Sequence, residues 1–269
     1  QAAVDIVARQ QRDDLHARLT GLLSGTERVA LDAAGITHAQ WAQLAADVAV
    51  TPVDSPVAQL RQVKDDAEIA RMAAAAAAAD AALAEGEPML VAAADAALTE
   101  ADVRTELEYR MRLHGADDRS YDKIVAAGPH HSARPHHEAS GRPITDGDTV
   151  IIDVGGLVDG YHSDMTRSWV IGETTPEQIE IHALVAASQQ AGLDAVRDGV
   201  SARAVDDACR AVFDDAGRLE WYLHGTGHGV GLQIHETPFL SQAATDTLRS
   251  GMVVTIEPGL YRDGFGGFR

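Results

Sequence analysis

A carboxylate set inside an apolar run constrains this chain more than any other feature. In Thr149-Val150-Ile151-Ile152-Asp153-Val154-Gly155-Gly156 the β-branched residues predict a buried strand. Asp153 on such a strand must find a partner, because burial of an unpaired charge is costly. Eleven residues later comes Asp164, in His162-Ser163-Asp164-Met165-Thr166-Arg167. Asp159-Gly160, between the two, is a two-residue hairpin signal. A turn there returns the chain antiparallel and makes Asp153 and Asp164 direct or diagonal cross-strand neighbours. Two carboxylates held together in an apolar sheet repel unless a proton or a cation lies between them. The alternative is that one pairs with Arg167 and the other is a turn residue.

Two further segments carry chemistry-bearing residues. Leu223-His224-Gly225-Thr226-Gly227-His228-Gly229-Val230-Gly231 is too rich in glycine for a stable helix or strand, and suits a tight loop that approaches a ligand. A phosphate cradle would also be glycine-rich, but the Lys and Ser/Thr of a P-loop do not follow. His235 lies seven residues after His228, in Gln233-Ile234-His235-Glu236. Val253-Val254-Thr255-Ile256-Glu257-Pro258-Gly259 repeats the first pattern, an acid closing an apolar strand, with a surface strand end as the alternative for Glu257.

The rest of the chain frames these segments. Its 269 residues suit one large domain or two smaller ones, and 45% hydrophobic with 23% charged residues is the balance of a globular protein with a real core. Aromatics are only 4%, and Ala73–Ala79 is unbroken, so the core should be built from Ala, Val, Leu and Ile. Lys and Arg number 22 against 41 Asp and Glu, a net charge of −19 that argues against nucleic acid or an anionic membrane as partner. The single Cys209 falls in the helical pattern 202–216 and reads as a small buried thiol in a reducing, cytoplasmic setting. No apolar run is long enough to span a membrane, and no signal peptide opens the chain.

Element signals divide the chain between Pro56 and Asp66. Before the boundary, Arg28–Asp32 and Val48–Val53 read as strands around a helix capped by Thr37, with Gln40 in capping-box position. After it, a helix is predicted from Asp65 to about Glu85, broken or kinked by Gly86 and Pro88, and a second from Thr99 to His114. Strands are predicted at Tyr121–Ala127 and Asp148–Val154, then a hairpin through Leu157–Ile171. Helices follow at Pro176–Arg197 and Ser201–Ala216, and a strand at Met252–Glu257. Helices followed by strands, twice over, argue for an α+β fold with helices covering an antiparallel sheet.

Taken in order, these residues resemble the "pita-bread" metallopeptidases of family M24, which include methionine aminopeptidase, Xaa-Pro aminopeptidase, prolidase and creatinase. Six motifs carry the resemblance over about residues 55 to 269: Pro135-His136, Ile152–Gly156, Ser163–Arg167, Gly227–Gly231, Ile234–Glu236 and Ile256–Gly259. Leu60–Lys64 followed by Glu68-Ile69 resembles the linker of the proline-specific branch, Xaa-Pro aminopeptidase and Xaa-Pro dipeptidase. The resemblance implies a pita-bread catalytic domain over 57–269, a curved antiparallel sheet covered by helices. It also implies that residues 1–56 are the C-terminal part of a small α/β N-terminal domain.

The resemblance further implies a dinuclear metal site with Asp153, Asp164, His228 and Glu257 as ligands, Asp164 bridging, and a metal-bridged water that attacks the Xaa-Pro bond. The oxygen-rich donor set favours two Mn²⁺ ions, with Co²⁺, Zn²⁺ or Fe²⁺ as alternatives. Glu257 would also shuttle the proton to the leaving nitrogen. His235 would bond the scissile carbonyl, and His136 would hold the far side of the proline residue of a peptide substrate. Tyr261 and Arg269 would support the ligands, His137 would be a bystander, and His224 would pack the loop. The branch implies a homodimer. Its fifth ligand, a Glu two residues after an Arg, would fall beyond Gly267-Phe268-Arg269, so a chain that continues is expected. A metal-free binding module, a methionine-aminopeptidase-like enzyme or another hydrolase on the same fold remain the alternatives.

Overall fold

The computed structural model describes residues 14–122 and 124–269. The chain divides into two compact units, Gln1–Leu60 and Arg61–Arg269.

In the first unit, α1 (Asp14–Leu22) precedes a βαβ unit of β1 (Arg28–Asp32), α2 (His38–Ala45) and β2 (Ala49–Val53), whose two strands pair in parallel. Thr37 caps α2 and exchanges hydrogen bonds with Gln40, so the helix starts where its capping box sets it. The first thirteen residues of the 1–56 segment lie outside the described residues. A short helix, α3 (Pro56–Gln62), carries the chain into the second unit.

The second unit opens with α4 (Asp66–Val91) and α5 (Glu100–Leu113), begun by Asp65–Glu68 and Thr99–Asp102 capping boxes. Helix α4 does not stop near Glu85 but runs through Gly86 and Pro88. Two contacts explain the difference. Gly86 faces α5, where a Cβ would come within 2.8 Å of Leu107 Cδ2, and Leu90, one turn on, is 1% exposed. Pro88 falls in the last turn, so the lost backbone bond is set against burial of Leu90, which contributes about 1.5–3 kcal/mol. The alanine run has a clear use. Ala75, Ala78, Ala79 and Ala82 form one buried face at helical spacing, and Gly156 of the hairpin lies so close that a Cβ there would fall 2.8 Å from the Ala75 carbonyl oxygen.

The strands follow: β3 (Asp118–Arg119), β4 (Ile124–Ala127), then after the one-turn helix α6 (Gly128–His131), β5 (Thr149–Val154), β6 (Gly156–Val158), β7 (Tyr161–His162) and β8 (Met165–Val170). They form two antiparallel three-stranded sheets, ordered β4-β5-β8 and β3-β6-β7. Asp159 and Gly160 both take positive φ, the conformation that a two-residue turn demands, and the hairpin closes where expected. The predicted strand Tyr121–Ala127 is shorter than expected. Ser120–Asp122 bends, Lys123 lies outside the described residues, and only Ile124–Ala127 pairs with β5. Ala78, Leu83, Leu107 and Met111 of the two helices pack with Val125, Val150 and Ile152 of the sheet in the main core.

The pattern then repeats with α7 (Pro176–Ala195) and α8 (Ala202–Asp215), followed by β9 (Gly227–Gly229), β10 (Glu236–Leu240), β11 (Leu260–Arg262) and β12 (Gly266–Phe268). Cys209 on α8 is a buried free thiol; Gly192 of α7 lies so close that a Cβ there would be 2.5 Å from its Sγ. The expected strand Met252–Glu257 forms no regular ladder, only isolated bridges at Met252 and Val254. The segment is nonetheless extended along β9. Thr255 and Glu257 donate their N–H groups to His228 and Thr226 carbonyls, both at 2.8 Å, whereas the His228 N–H turns to Thr255 Oγ1 at 3.0 Å. The side chain takes a bond the ladder would have used. Among the described residues no helix is long and apolar enough to cross a membrane.

Candidate metal centre

Register places the first two acids. Asp153 on β5 lies opposite Thr166 of β8, and Asp164 is two residues before Thr166, so the two are diagonal neighbours. Tyr121, at the bend before β4, donates its hydroxyl to Asp153 Oδ1 and lies 2.9 Å from Asp164 Oδ1. Arg167 does not pair with either acid; its Nη2 faces Asp80 at 3.6 Å. The cation on Asp153 is Arg269, whose Nη2 is 2.5 Å from Oδ2. Gly155 makes this close hairpin feasible, since a Cβ there would fall 1.9 Å from the Ser163 carbonyl oxygen.

The glycine-rich segment, expected as a loop, instead forms strand β9 against β10 at Gly227–Gly229 and brings the third donor. His228 Nε2 is 3.1 Å from Glu257 Oε1 and 3.4 Å from Asp164 Oδ2, while Nδ1 faces the Gly229 carbonyl at 3.1 Å. Donation from Nδ1 to that carbonyl leaves Nε2 as the nitrogen that points at the acids. Ligand atoms of Asp164, His228 and Glu257 all lie within 4.8 Å of one another. Thr255 Oγ1 donates to Glu257 Oε1 at 2.8 Å, and Arg269 Nε lies 3.7 Å from Oε2.

Deeper bonds hold the loop. Asp206 of α8, fully buried, accepts from both the N–H and the hydroxyl of Thr226 through Oδ1, and from Arg210 and Gln242 through Oδ2. The Thr226 carbonyl in turn accepts the Glu257 N–H, so this one carboxylate anchors the backbone leading into His228 and, through it, that of Glu257.

The electrostatics are those of a site built for added positive charge. Burial, with repulsion from Asp164 and Glu257, raises Asp153 to about 7 despite Arg269. Burial would also raise Glu257, but the His228 hydrogen bond and the Arg269 charge lower it to about 2. Burial opposes a charge on His228, yet the hydrogen bonds to Asp164 and Glu257 raise it to about 10. Burial beside the same acids raises the Tyr121 hydroxyl. Three carboxylates are thus balanced by Arg269, a charged imidazole and a proton held by Asp153. Divalent cations on oxygen donors with one imidazole would replace the mobile part of that charge, and the donor set fits them.

These residues line a cavity of about 470 Å³. His136 and His235 reach its wall from separate loops, both exposed, and the His235 ring meets His228 edge to face at 4.3 Å. Burial lowers His235, favouring its neutral form. Tyr261 is buried behind the acids, raised to about 12 chiefly by burial, and its hydroxyl lies 2.9 Å from His224 Nε2. His224 lines the cavity as well as packing its loop. His137 turns away to Glu100. The sequence reading missed Tyr121, Thr255 and Asp206. The sequence places Tyr121 only as the first residue of a strand over 121–127, with nothing to tie it to the acids.

Comparison with known proteins places the chain. Residues 70–269 match the metallopeptidase family M24, and the chain belongs to that family. It is 38% identical over 217 residues to the Xaa-Pro dipeptidase of Pyrococcus furiosus, a match covering 81% of this chain and 61% of that protein. Its fold superposes on the Xaa-Pro dipeptidase from Bacillus anthracis with a TM-score of 0.90 at 34% identity, covering 95% of this chain and 72% of the other. The X-Pro aminopeptidase from Thermotoga maritima gives 0.89 at 31% identity, with 95% and 72% covered. The α+β architecture is therefore the pita-bread fold of the family. The chain spans about three fifths of the length of the Pyrococcus dipeptidases it matches, 61% and 60%.

Proposed function

We propose that the protein is a metal-dependent exopeptidase that hydrolyses Xaa-Pro bonds at the N-terminus of peptides or in dipeptides. The observation that carries this reading is the convergence of Asp164, His228 and Glu257 within ligand distance, with Asp153 tethered to Asp164 through Tyr121, on the wall of one cavity. The names of its relatives point to the same bond.

Asp153, Asp164, His228 and Glu257 would hold two divalent ions, Mn²⁺ being favoured by the oxygen-rich set. Such ions, when bound, supply Lewis-acid activation of water and of the scissile carbonyl. The protein's own groups do the rest. Glu257, ionised at neutral pH, accepts a proton at a carboxylate oxygen and returns it to the proline nitrogen as that nitrogen leaves. His235, beside His228, donates a hydrogen bond to the oxygen that gains charge. His136 grips the proline side of the substrate. Arg269 and Tyr261, both buried, hold the acids and the His224 loop in place.

A homodimer, as the resemblance implies, and a cytoplasmic setting, in keeping with the reduced Cys209, complete the proposal. The test is release of the first residue from Ala-Pro and from a longer Ala-Pro peptide by the full-length, Mn²⁺-loaded protein. Cleavage of neither would overturn the proposal.

A further inference from the structure

A second cluster of titratable groups lies outside the metal centre. Glu100, at the start of α5, has a fully buried side chain. Five donors converge on its two oxygens. Oε1 takes the Ala127 N–H at 2.8 Å and faces His131 Nδ1 at 2.9 Å. Oε2 takes the Ser140 N–H at 3.0 Å and the Ser140 hydroxyl at 2.7 Å, and faces His137 Nε2 at 3.0 Å. An ionised carboxylate only accepts, so both imidazoles serve as donors here. Their rings lie 4.1 Å apart, tilted by 30°. With both oxygens occupied by N–H and O–H donors, the cluster holds protein rather than an ion.

The protein that it holds is the loop bearing His136. One residue before His136, the Pro135 carbonyl accepts from Arg269 Nη1 at 3.0 Å. One residue after it, His137 is anchored on Glu100. His136 stands between two fixed points with its own ring exposed on the cavity wall. One of these points, Arg269, also binds Asp153.

We propose that His137 is a positioning residue: its Nε2–H bond to Glu100 fixes the backbone that aims His136 into the cavity. This rests on the reading of His136 as the group that grips the substrate. Loss of the bond should leave the metal-binding acids alone and weaken ground-state binding.

The test compares wild type, His137→Gln, His137→Leu, His136→Ala and the double variant His136→Ala/His137→Leu. The Gln amide nitrogen takes the place of Nε2 and keeps a donor for Glu100; Leu does not. On an Ala-Pro peptide with Mn²⁺, His137→Leu should raise KM roughly tenfold with kcat and bound metal unchanged. His137→Gln should stay within about twofold of wild type, and the double variant should equal His136→Ala. His137→Asn, polar but too short to reach Glu100, replaces His137→Leu if the latter does not fold. An unchanged KM in His137→Leu, an equal loss in His137→Gln, or multiplying effects in the double variant would each overturn the proposal.

If wild type cleaves no Xaa-Pro peptide, the functional reading fails, and a measurement without substrate decides this one. The His136 Cε1–H NMR signal, assigned by its loss in His136→Ala, should move toward that of an unstructured histidine in His137→Leu and hold still in His137→Gln. A signal unmoved in His137→Leu contradicts the proposal.

Discussion

The Tyr121 hydroxyl bridges Asp153 and Asp164, bonded to Oδ1 of the first and 2.9 Å from Oδ1 of the second. A hydroxyl carries one proton, so it can satisfy only one carboxylate at a time. When Asp153, raised to about 7, holds a proton, it can donate to the Tyr121 oxygen and free the Tyr121 proton for Asp164. Tyr121 therefore fixes the spacing of the two acids. Tyr121→Phe should fold normally yet bind Mn²⁺ roughly 10- to 100-fold more weakly. Calorimetric titration checks this, and wild-type affinity in Tyr121→Phe would contradict a spacing role for the hydroxyl.

Metal binding should be linked to protons. Asp153, raised to about 7, and His228, raised to about 10, would both have to lose protons to serve as ligands in the proposed centre. Filling the site should release about two protons at pH 6 and about one at pH 8.5. Apparent affinity should fall as pH drops through 7. Calorimetry in buffers of different ionisation enthalpy reads the count directly.

The Glu100 network predicts a pH dependence of stability. Burial would raise this carboxyl, but hydrogen bonds from Ser140, Ala127, His131 and His137 lower it below its ordinary 4.5. A depressed folded value means that the contribution is present above the unfolded value and lost as pH falls through the folded one. Glu100→Gln should thus be less stable than wild type by about 1–3 kcal/mol at pH 7. The gap should narrow below pH 4.5. Urea unfolding at several pH values measures it.

Asp206 offers a test of the loop scaffold. Its buried carboxylate binds Arg210 Nε at 2.6 Å and holds Thr226 at both backbone and hydroxyl. Asp206→Ala leaves these donors unpaired and should cost about 3–5 kcal/mol in denaturant unfolding. Because Thr226 carries the Glu257 N–H, the folded fraction should also bind metal less tightly.

Local chemistry made much of the architecture legible. Thr37 with Gln40, Thr99 with Asp102, and Asp159-Gly160 each act within a few residues, and each element began or turned where they stand. What went unread depends on contacts distant in sequence. Helix α4 passes Gly86 because Leu107 fills the space a side chain would need. The Met252–Glu257 segment forgoes a ladder because Thr255 Oγ1 takes the His228 N–H. The approach of Asp153 and Asp164 followed from one hairpin, so it could be anticipated. Tyr121 could not, because its place between them is fixed by the bend before β4 and the pairing of Ile124 with Asp153. Asp206 offered no signal either, being one acid among several on a helix until the fold buries it against Thr226.

The proposed activity stands or falls with Asp153, Asp164, His228 and Glu257 acting together as a divalent-metal centre. The direct measurement is Mn²⁺ binding and Ala-Pro hydrolysis by the full-length protein, side by side with Asp164→Ala. Wild type should bind Mn²⁺ and release alanine, whereas a folded Asp164→Ala protein should lose the hydrolysis and most of the metal. Hydrolysis that persists in Asp164→Ala, or a wild type that neither binds Mn²⁺ nor releases alanine, would contradict the proposal.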